Sequence, residues 1–292
     1  MLKLDKNFFQ RLIFGALLVG VIIFGILFNP FSALVVFGLI AALGVHEFHV
    51  LTNTKEVQVI AQRGAIGAVL LNICFFVLHY VPMPVENMQM VQLPIYSPMA
   101  PMCFALYGLY IIINMIRELY REGSNAVLNM AYFIMGQVYI ALPFALVYSV
   151  LFYQSHWMPI IVLALFVTIW VNDTFAYLCG SMFGKHKMFP RISPKKSWEG
   201  FIGGNLFALA SSQLFAYFGP EIAWYTWLLI AQVIVVFGTF GDLIESLIKR
   251  TVGVKDSGDV IPGHGGILVR FDSVILAIPA VAILLYCLIL IL

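Results

Sequence analysis

Pro159-Ile-Ile-Val-Leu-Ala-Leu-Phe-Val-Thr-Ile-Trp-Val-Asn172-Asp173-Thr-Phe-Ala-Tyr-Leu-Cys179 carries one charged side chain in twenty-one residues. A hydrocarbon core of roughly 30 Å needs about 17 to 25 residues of helix, so this stretch is long enough to cross a bilayer. Lipid cannot satisfy a backbone amide, and the alternating pattern of a membrane barrel is absent, which leaves a helix. Runs of the same kind recur at residues 12–28, 32–51, 65–81, 101–116, 130–153, 201–218, 222–244 and 273–292. The chain of 292 residues is 62% hydrophobic and 10% charged, against about 45–50% and 25% in an ordinary soluble domain. One soluble core cannot hold that excess. The expected fold class is all-α, a polytopic membrane protein of about nine transmembrane helices.

With the N-terminus placed inside, Lys3, Lys6, Arg11, Lys55, Arg63, Arg117, Arg121 and the clusters at 185–196 and 249–270 share one face. They are all 16 basic residues. The opposite loops, around Asn29 and at 82–100, 154–158 and 219–221, contain no Lys or Arg. The positive-inside rule makes the first face cytoplasmic. Net charge is only +2, yet the sorting gives that face a basic character suited to anionic headgroups or nucleotides. Residues 12–28 lack a small-x-small cleavage site and read as a retained helix, with 1–11 as a short interfacial lead-in.

Cys74, Cys103, Cys179 and Cys287 show no C-x-x-C spacing and read as small buried hydrophobes. His46-Glu47-Phe48-His49 lacks the i, i+4 histidine pair of a zinc protease helix and reads as a helix-end polar cluster. The loop at 82–100 carries Glu86 as its one charge and suits an outer cap. Residues 1–125 read as a transmembrane scaffold and 126–292 as the site-bearing region, because the cytoplasmic loops at 181–200 and 245–272 hold most of its Gly, Pro, Lys and Asp.

Asn172-Asp173 sits inside the apolar run. A carboxylate at membrane depth is expensive, so it lines a polar cavity or meets a cation; a hydrogen bond to a neighbouring helix is the plainer alternative. Between Gly180 and Gly200 lie five basic groups, three serines and a histidine. That density matches a polyphosphate, with an anionic-lipid anchor as the competing explanation. Asp242, Glu245, Ser246 and Lys249 follow at i, i+3, i+4 and i+7, on one helical face. Such a pair of carboxylates suits Mg²⁺, a hard cation held by oxygen ligands and substrate phosphates, while a surface ladder of charges would look the same. In the last loop, consecutive glycines let backbone amides converge on phosphate oxygens.

Ser246-Leu-Ile-Lys249-Arg250, four residues, Lys255-Asp256-Ser-Gly258, then Pro262-Gly-His264-Gly265-Gly266 and Arg270-Phe-Asp272 closely resemble the phosphatidate cytidylyltransferase signature, with its spacing kept over 27 residues. Ser193-Pro-Lys195-Lys196-Ser-Trp-Glu199-Gly200 and Asn172-Asp173-Thr174 are similar to further segments of that family, so the resemblance covers most of the C-terminal half. It implies Mg²⁺-dependent attack of the phosphatidate phosphate on the α-phosphorus of CTP, giving CDP-diacylglycerol and pyrophosphate in phospholipid biosynthesis. One or two cations serve the reaction. The setting implied is a bacterial cytoplasmic (inner) membrane, with the site facing the cytoplasm, membrane lipids around a homodimer, and no nucleic acid as a partner. By the same resemblance Asp242, Lys249, Arg250, Lys255, Asp256, His264 and Arg270 are expected to be catalytic. Asn172, Asp173, Ser193, Lys195, Lys196, Glu199, Ser246, Gly265 and Gly266 are expected to bind substrate, and Asp242, Asp272 and Asp173 the metal.

One position departs from the pattern. Where the family has a metal-site aspartate directly before the arginine, this chain has Val269, and valine offers no oxygen to a hard cation. An inactivated or engineered variant, a natural pseudoenzyme, and compensation by Asp272, Asp256 or Asp259 all fit. Two readings from other classes stand beside the enzyme. One is a transporter lined by Asp173 and Asp242, against which no internal repeat is found. The other is a lipid- or nucleotide-binding scaffold without turnover.

The charge sorting makes a topological prediction. A cysteine placed at Ser193 should react with a membrane-impermeant thiol probe only after the membrane is opened, and labelling of intact cells would reverse the orientation.

Overall fold

The computed structural model of the chain describes residues 6–80, 99–122, 125–254 and 265–291, with side chains placed from 13 to 290 of these. Its helices are α1 (Lys6–Leu27), α2 (Pro30–Thr52), α3 (Ala61–His79), α4 (Ala100–Glu118), α5 (Ala126–Gly136), α6 (Leu142–Leu151), α7 (Pro159–Phe183), α8 (Trp198–Phe218), α9 (Trp224–Thr251) and α10 (Leu268–Ile291). Two short strands, β1 (Lys187–Phe189) and β2 (Ser193–Ser197), lie between α7 and α8. Among the described residues eight helices are long and apolar enough to cross a membrane, α5 and α6 counting together as Ala126–Leu151; α1 adds the shorter apolar stretch Ile13–Leu27. The chain is an all-α polytopic membrane protein. Met1–Trp157 with Asp256–Arg270 and Met158–Lys255 with Phe271–Leu292 form two compact units.

In the first unit, α2 starts from a capping box in which Asn29 accepts from the Ser32 N–H and the Ser32 hydroxyl accepts from the Asn29 N–H, with Pro30 in the first turn. Its far end carries His49, fully buried, whose ring bonds the Tyr132 carbonyl at 3.2 Å. Gly64 of α3 and Gly136 of α5 make room for that ring: a Cβ on either would run into it. A five-residue π-turn, Gln137–Ala141, joins α5 to α6. Pro143 offers no N–H to the turn before it, which favours the wider winding. Buried Gln137 donates to the Gly64 carbonyl at 2.9 Å and accepts the Tyr107 hydroxyl at 3.2 Å, so its amide is not left unpaired inside an apolar bundle.

Glu47, one turn before the end of α2, is 4% exposed. Its Oε2 accepts the Ile267 N–H at 2.5 Å, just ahead of α10, and a Cβ at Gly266 would overlap its carboxylate. An anion at a helix N-terminus satisfies an orphan amide and the helix dipole together. The cap helps explain why α10 begins at Leu268 rather than near Ser273, which turns Val269, Arg270 and Asp272 from loop into the first two turns of a helix.

In the second unit, α8 lies against α7 along a row of glycines. A Cβ at Gly200 would meet the Ala176 carbonyl oxygen at 2.7 Å, one at Gly203 the Cys179 Sγ at 2.5 Å, and one at Gly204 both the Asn172 backbone oxygen and its Oδ1 at 2.7 Å. Small residues at such positions let two membrane helices approach backbone to backbone, where dispersion replaces the absent hydrophobic drive. Phe175 and Phe207 stack beside the row with centroids 3.7 Å apart. On α9, Gly241 plays the same part toward α10, where a Cβ would press on the Asp272 carbonyl. Helix α9 runs to Thr251, about two turns beyond the apolar run. It stops in a Schellman motif: Gly253 at φ +78° donates to the Arg250 carbonyl (3.2 Å), and Val254 donates to that of Lys249 (2.9 Å).

The His49 contact is testable. Gly64→Ala should lower stability by about 1–3 kcal/mol through overpacking, read as an earlier thermal unfolding in detergent. Gly108→Ala, where nothing lies within 4 Å of the new methyl group, should leave the transition unchanged or raise it.

Candidate active site

A cavity of about 470 Å³ opens in the second unit among α7, the β1–β2 hairpin, α8 and α9. Asn172, Asp173, Ala176 and Tyr177 border it from α7, Lys187, Lys195 and Lys196 from the hairpin, Phe201 from α8, and Thr239 and Asp242 from α9. The spacing arguments therefore converge: the intramembrane Asn-Asp pair, the basic loop and the first carboxylate of α9 share one concavity.

The hairpin is not a shapeless connector. Its strands pair antiparallel, Lys187 opposite Ser197 and Phe189 opposite Ser193. The Trp198 N–H donates to the His186 carbonyl at 3.0 Å. Glu199 closes the base, its carboxylate accepting the His186 N–H at 3.2 Å and meeting the His186 ring Nδ1 at 2.6 Å. Ser197 then caps α8, its Oγ accepting from Gly200 at 3.2 Å. Alternation along β2 leaves Lys195 exposed at the cavity while Lys196 turns to α9, where its ammonium lies 2.6 Å from Asp242 Oδ2.

On α9 the i, i+4 geometry is realised twice. The Ser246 hydroxyl donates to Asp242 Oδ1 at 3.3 Å, and Lys249 pairs with buried Glu245 at 2.5 Å. Asp272, one turn into α10, interacts electrostatically with Asp242, Glu245 and Asp173, and accepts the N–H of Ser273 at 2.6 Å. Asn172 donates to Asp173 Oδ1 at 3.3 Å, while its own Oδ1, against Gly204, has no hydrogen-bond partner among the described residues.

Of the residues expected from the sequence, Asn172, Asp173, Lys195, Lys196 and Asp242 face the cavity, and Ser246 supports Asp242. Ser193, at the hairpin's far end, is not among the lining residues, and Glu199 gives its carboxylate to His186. Lys249 is committed to Glu245, and Arg250 and Arg270 are exposed. Gly265 adopts φ +81°, a conformation that demands glycine, and Gly266 is held against Glu47. Lys255, Asp256, Asp259 and His264 lie outside the described residues. Thr239 and Tyr177 were not singled out beforehand, although each falls three or four residues from a chosen carboxylate on the same helical face.

The donor set bears on the expected cation. Among the described residues no three His, Cys, Asp or Glu side chains stand close enough to hold a metal by themselves. Asp173 and Asp242 nevertheless present carboxylate oxygens to one cavity that also bears lysines. That suits Mg²⁺, which commonly takes one or two carboxylates and completes its sphere with water and substrate phosphates.

If Glu199 holds the hairpin, Glu199→Ala should accelerate amide hydrogen exchange across residues 185–198 without changing exchange in α9. Unaltered protection would return Glu199 to direct substrate contact.

Comparison with known proteins gives the family. The profile described as Cytidylyltransferase family matches residues 9–288. Proteins called phosphatidate cytidylyltransferase in Staphylococcus aureus (strain COL) and Staphylococcus haemolyticus (strain JCSC1435) are each 41% identical over 160 residues, 54% of this chain and 60% of theirs. The protein of that name in Staphylococcus saprophyticus is 40% identical over 159 residues, with the same coverage. The chain thus spans 60% of the length of these relatives.

Proposed function

We propose that this chain, which belongs to the cytidylyltransferase family, is a phosphatidate cytidylyltransferase that joins CTP and phosphatidate into CDP-diacylglycerol and releases pyrophosphate. The observation that carries the reading is one cavity holding Asp173 and Asp242 beside Lys195 and Lys196. A nucleoside triphosphate with a divalent cation needs that combination of hard oxygen ligands and phosphate-neutralising ammonium groups. Relatives that bear the activity in their names support the choice of substrates.

In this reading a phosphatidate oxygen forms a bond to the α-phosphorus of CTP, the bond from that phosphorus to the bridging oxygen breaks, and pyrophosphate carries the electron pair away. Bound Mg²⁺, as one or two ions held by Asp173, Asp242 and Asp272, would neutralise charge on attacking and leaving oxygens. Lys195 and Lys196 attract the triphosphate, and the hairpin closed by Glu199 keeps their strand in register. Asn172 and Ser246 orient the neighbouring carboxylates. The glycines at 265–266 present backbone amides near the start of α10, with Arg270 after them. Lys249 acts through Glu245, fixing the turn that presents Asp242. Lipid substrate reaches the site within the bilayer plane, at the cytoplasmic face of a bacterial inner membrane, in a homodimer whose residues 1–125 are scaffold and 126–292 the catalytic region.

Val269 bears on rate. Loss of a partner one layer out from a metal already costs about 10–100-fold, and a missing direct ligand should cost more. Purified chain given CTP, phosphatidate and Mg²⁺ should release pyrophosphate slowly, and Val269→Asp should speed it at least about tenfold. Asp242→Asn should abolish release in both backgrounds while Glu56→Gln leaves it intact. Pyrophosphate from neither form would sink the assignment. Fast turnover by the valine form, unimproved by aspartate, would make Asp272 sufficient.

A further inference from the structure

Both oxygens of the Asp242 carboxylate are engaged. Oδ1 takes the Ser246 hydroxyl from one turn along α9, and Oδ2 takes the Lys196 ammonium from β2, at 2.6 Å. The second contact joins two elements and is held from both sides, by the hairpin base at His186–Glu199 and by the helix. Its partners are 27% and 31% exposed, so water reaches the pair and it can open without unfolding anything. The other charges around Asp242 leave it no substitute. Asp173 and Asp272 are carboxylates that interact with it, and Lys249 is committed to Glu245.

We infer that Lys196 is an internal counter-cation for Asp242, which yields that carboxylate to a divalent cation only when substrate phosphates enter with it. This rests on the reading of Asp242 as a metal carboxylate. A lone cation must displace the ammonium, and Asp173, the other carboxylate that Lys196 acts on, is itself a proposed ligand for that cation. A triphosphate supplies the anion, so the same rotation of Lys196 that uncovers Asp242 brings a positive charge to the nucleotide. Metal and nucleotide then bind with positive coupling, each raising the affinity of the other by the same factor. Lys195 has a different task. It is exposed at the cavity on the same strand and attracts phosphate without competing for Asp242.

The test uses the full chain in detergent without phosphatidate, with Mn²⁺ as the hard-cation probe and its free-ion EPR signal as the readout, with and without CTP. Lys196→Met should bind Mn²⁺ in the absence of nucleotide roughly two- to fivefold more tightly than wild type, the range expected for removing a partly exposed ion pair. It should also lose most of the enhancement by CTP. Lys196→Arg, which keeps the charge, and Lys195→Met should retain the wild-type nucleotide-free affinity; Lys196→Gln replaces Lys196→Met should the latter misfold. Nucleotide-free binding that is unchanged or weaker in the neutral Lys196 variants, with binding lost in Asp242→Asn, overturns the counter-cation and leaves the metal site standing. Undiminished Mn²⁺ binding by Asp242→Asn, or no binding by any form even with CTP, removes the metal reading of Asp242 and the inference with it.

Discussion

Asp173, Asp242 and Asp272 come from three membrane helices and repel one another wherever they are ionised together. A single carboxylate at membrane depth is already unfavourable, and three in one region are tolerated only where a cation or a proton offsets the charge. The second unit is built around that requirement. Gly241 brings α9 and α10 close enough for Asp242 and Asp272 to interact, and the Gly200–Gly204 row brings α8 close under the Asn172–Asp173 turn of α7. Lys196 then reaches Asp242 from the hairpin, supplying the positive charge that the fold itself can provide.

The same arrangement explains why the basic hairpin is structured. Two lysines on a mobile loop would bind phosphate at an entropic cost and would not be confined to one carboxylate. Pairing of β1 with β2, the cap at Ser197 and the His186–Glu199 contact fix the strand so that both lysines border the cavity, Lys195 exposed and Lys196 paired with Asp242. Lys196 is committed to a carboxylate, which leaves Lys195 as the one that would attract phosphate in the proposed reading.

The helices were legible because lipid leaves the chain few options, and apolar runs with one-sided basic loops record that constraint directly. The face made by Asp242, Glu245, Ser246 and Lys249 was legible for the same kind of reason, since helical periodicity puts all four together. The use of that face was not. Spacing alone could not tell that Glu245 and Lys249 would satisfy each other while Asp242 turned to a strand nearly fifty residues earlier. The signal for α8 against α7 was present as Gly200, Gly203 and Gly204, the last two inside the expected 201–218 helix, but small residues do not name the helix they pack on. Glu47 shows the limit most plainly. Nothing local to His46–His49 indicates that its carboxylate caps a helix that begins some 220 residues later.

Val269 belongs to the same electrostatic account. It lies one turn before Asp272 on α10 and is partly buried. An aspartate there would add a second carboxylate one turn from Asp272 on the same helix. Without a bound cation such a group would be costly, and valine avoids the cost by giving up an oxygen that only a cation can use. The valine would therefore move the balance between empty and loaded states in one direction. On the proposed metal reading it would ease the crowding of carboxylates near Asp272 while no cation is bound, and it would weaken the hold on a cation. In that reading a chain with valine at this position would depend more heavily on phosphate oxygens brought by the nucleotide to complete the coordination of a cation.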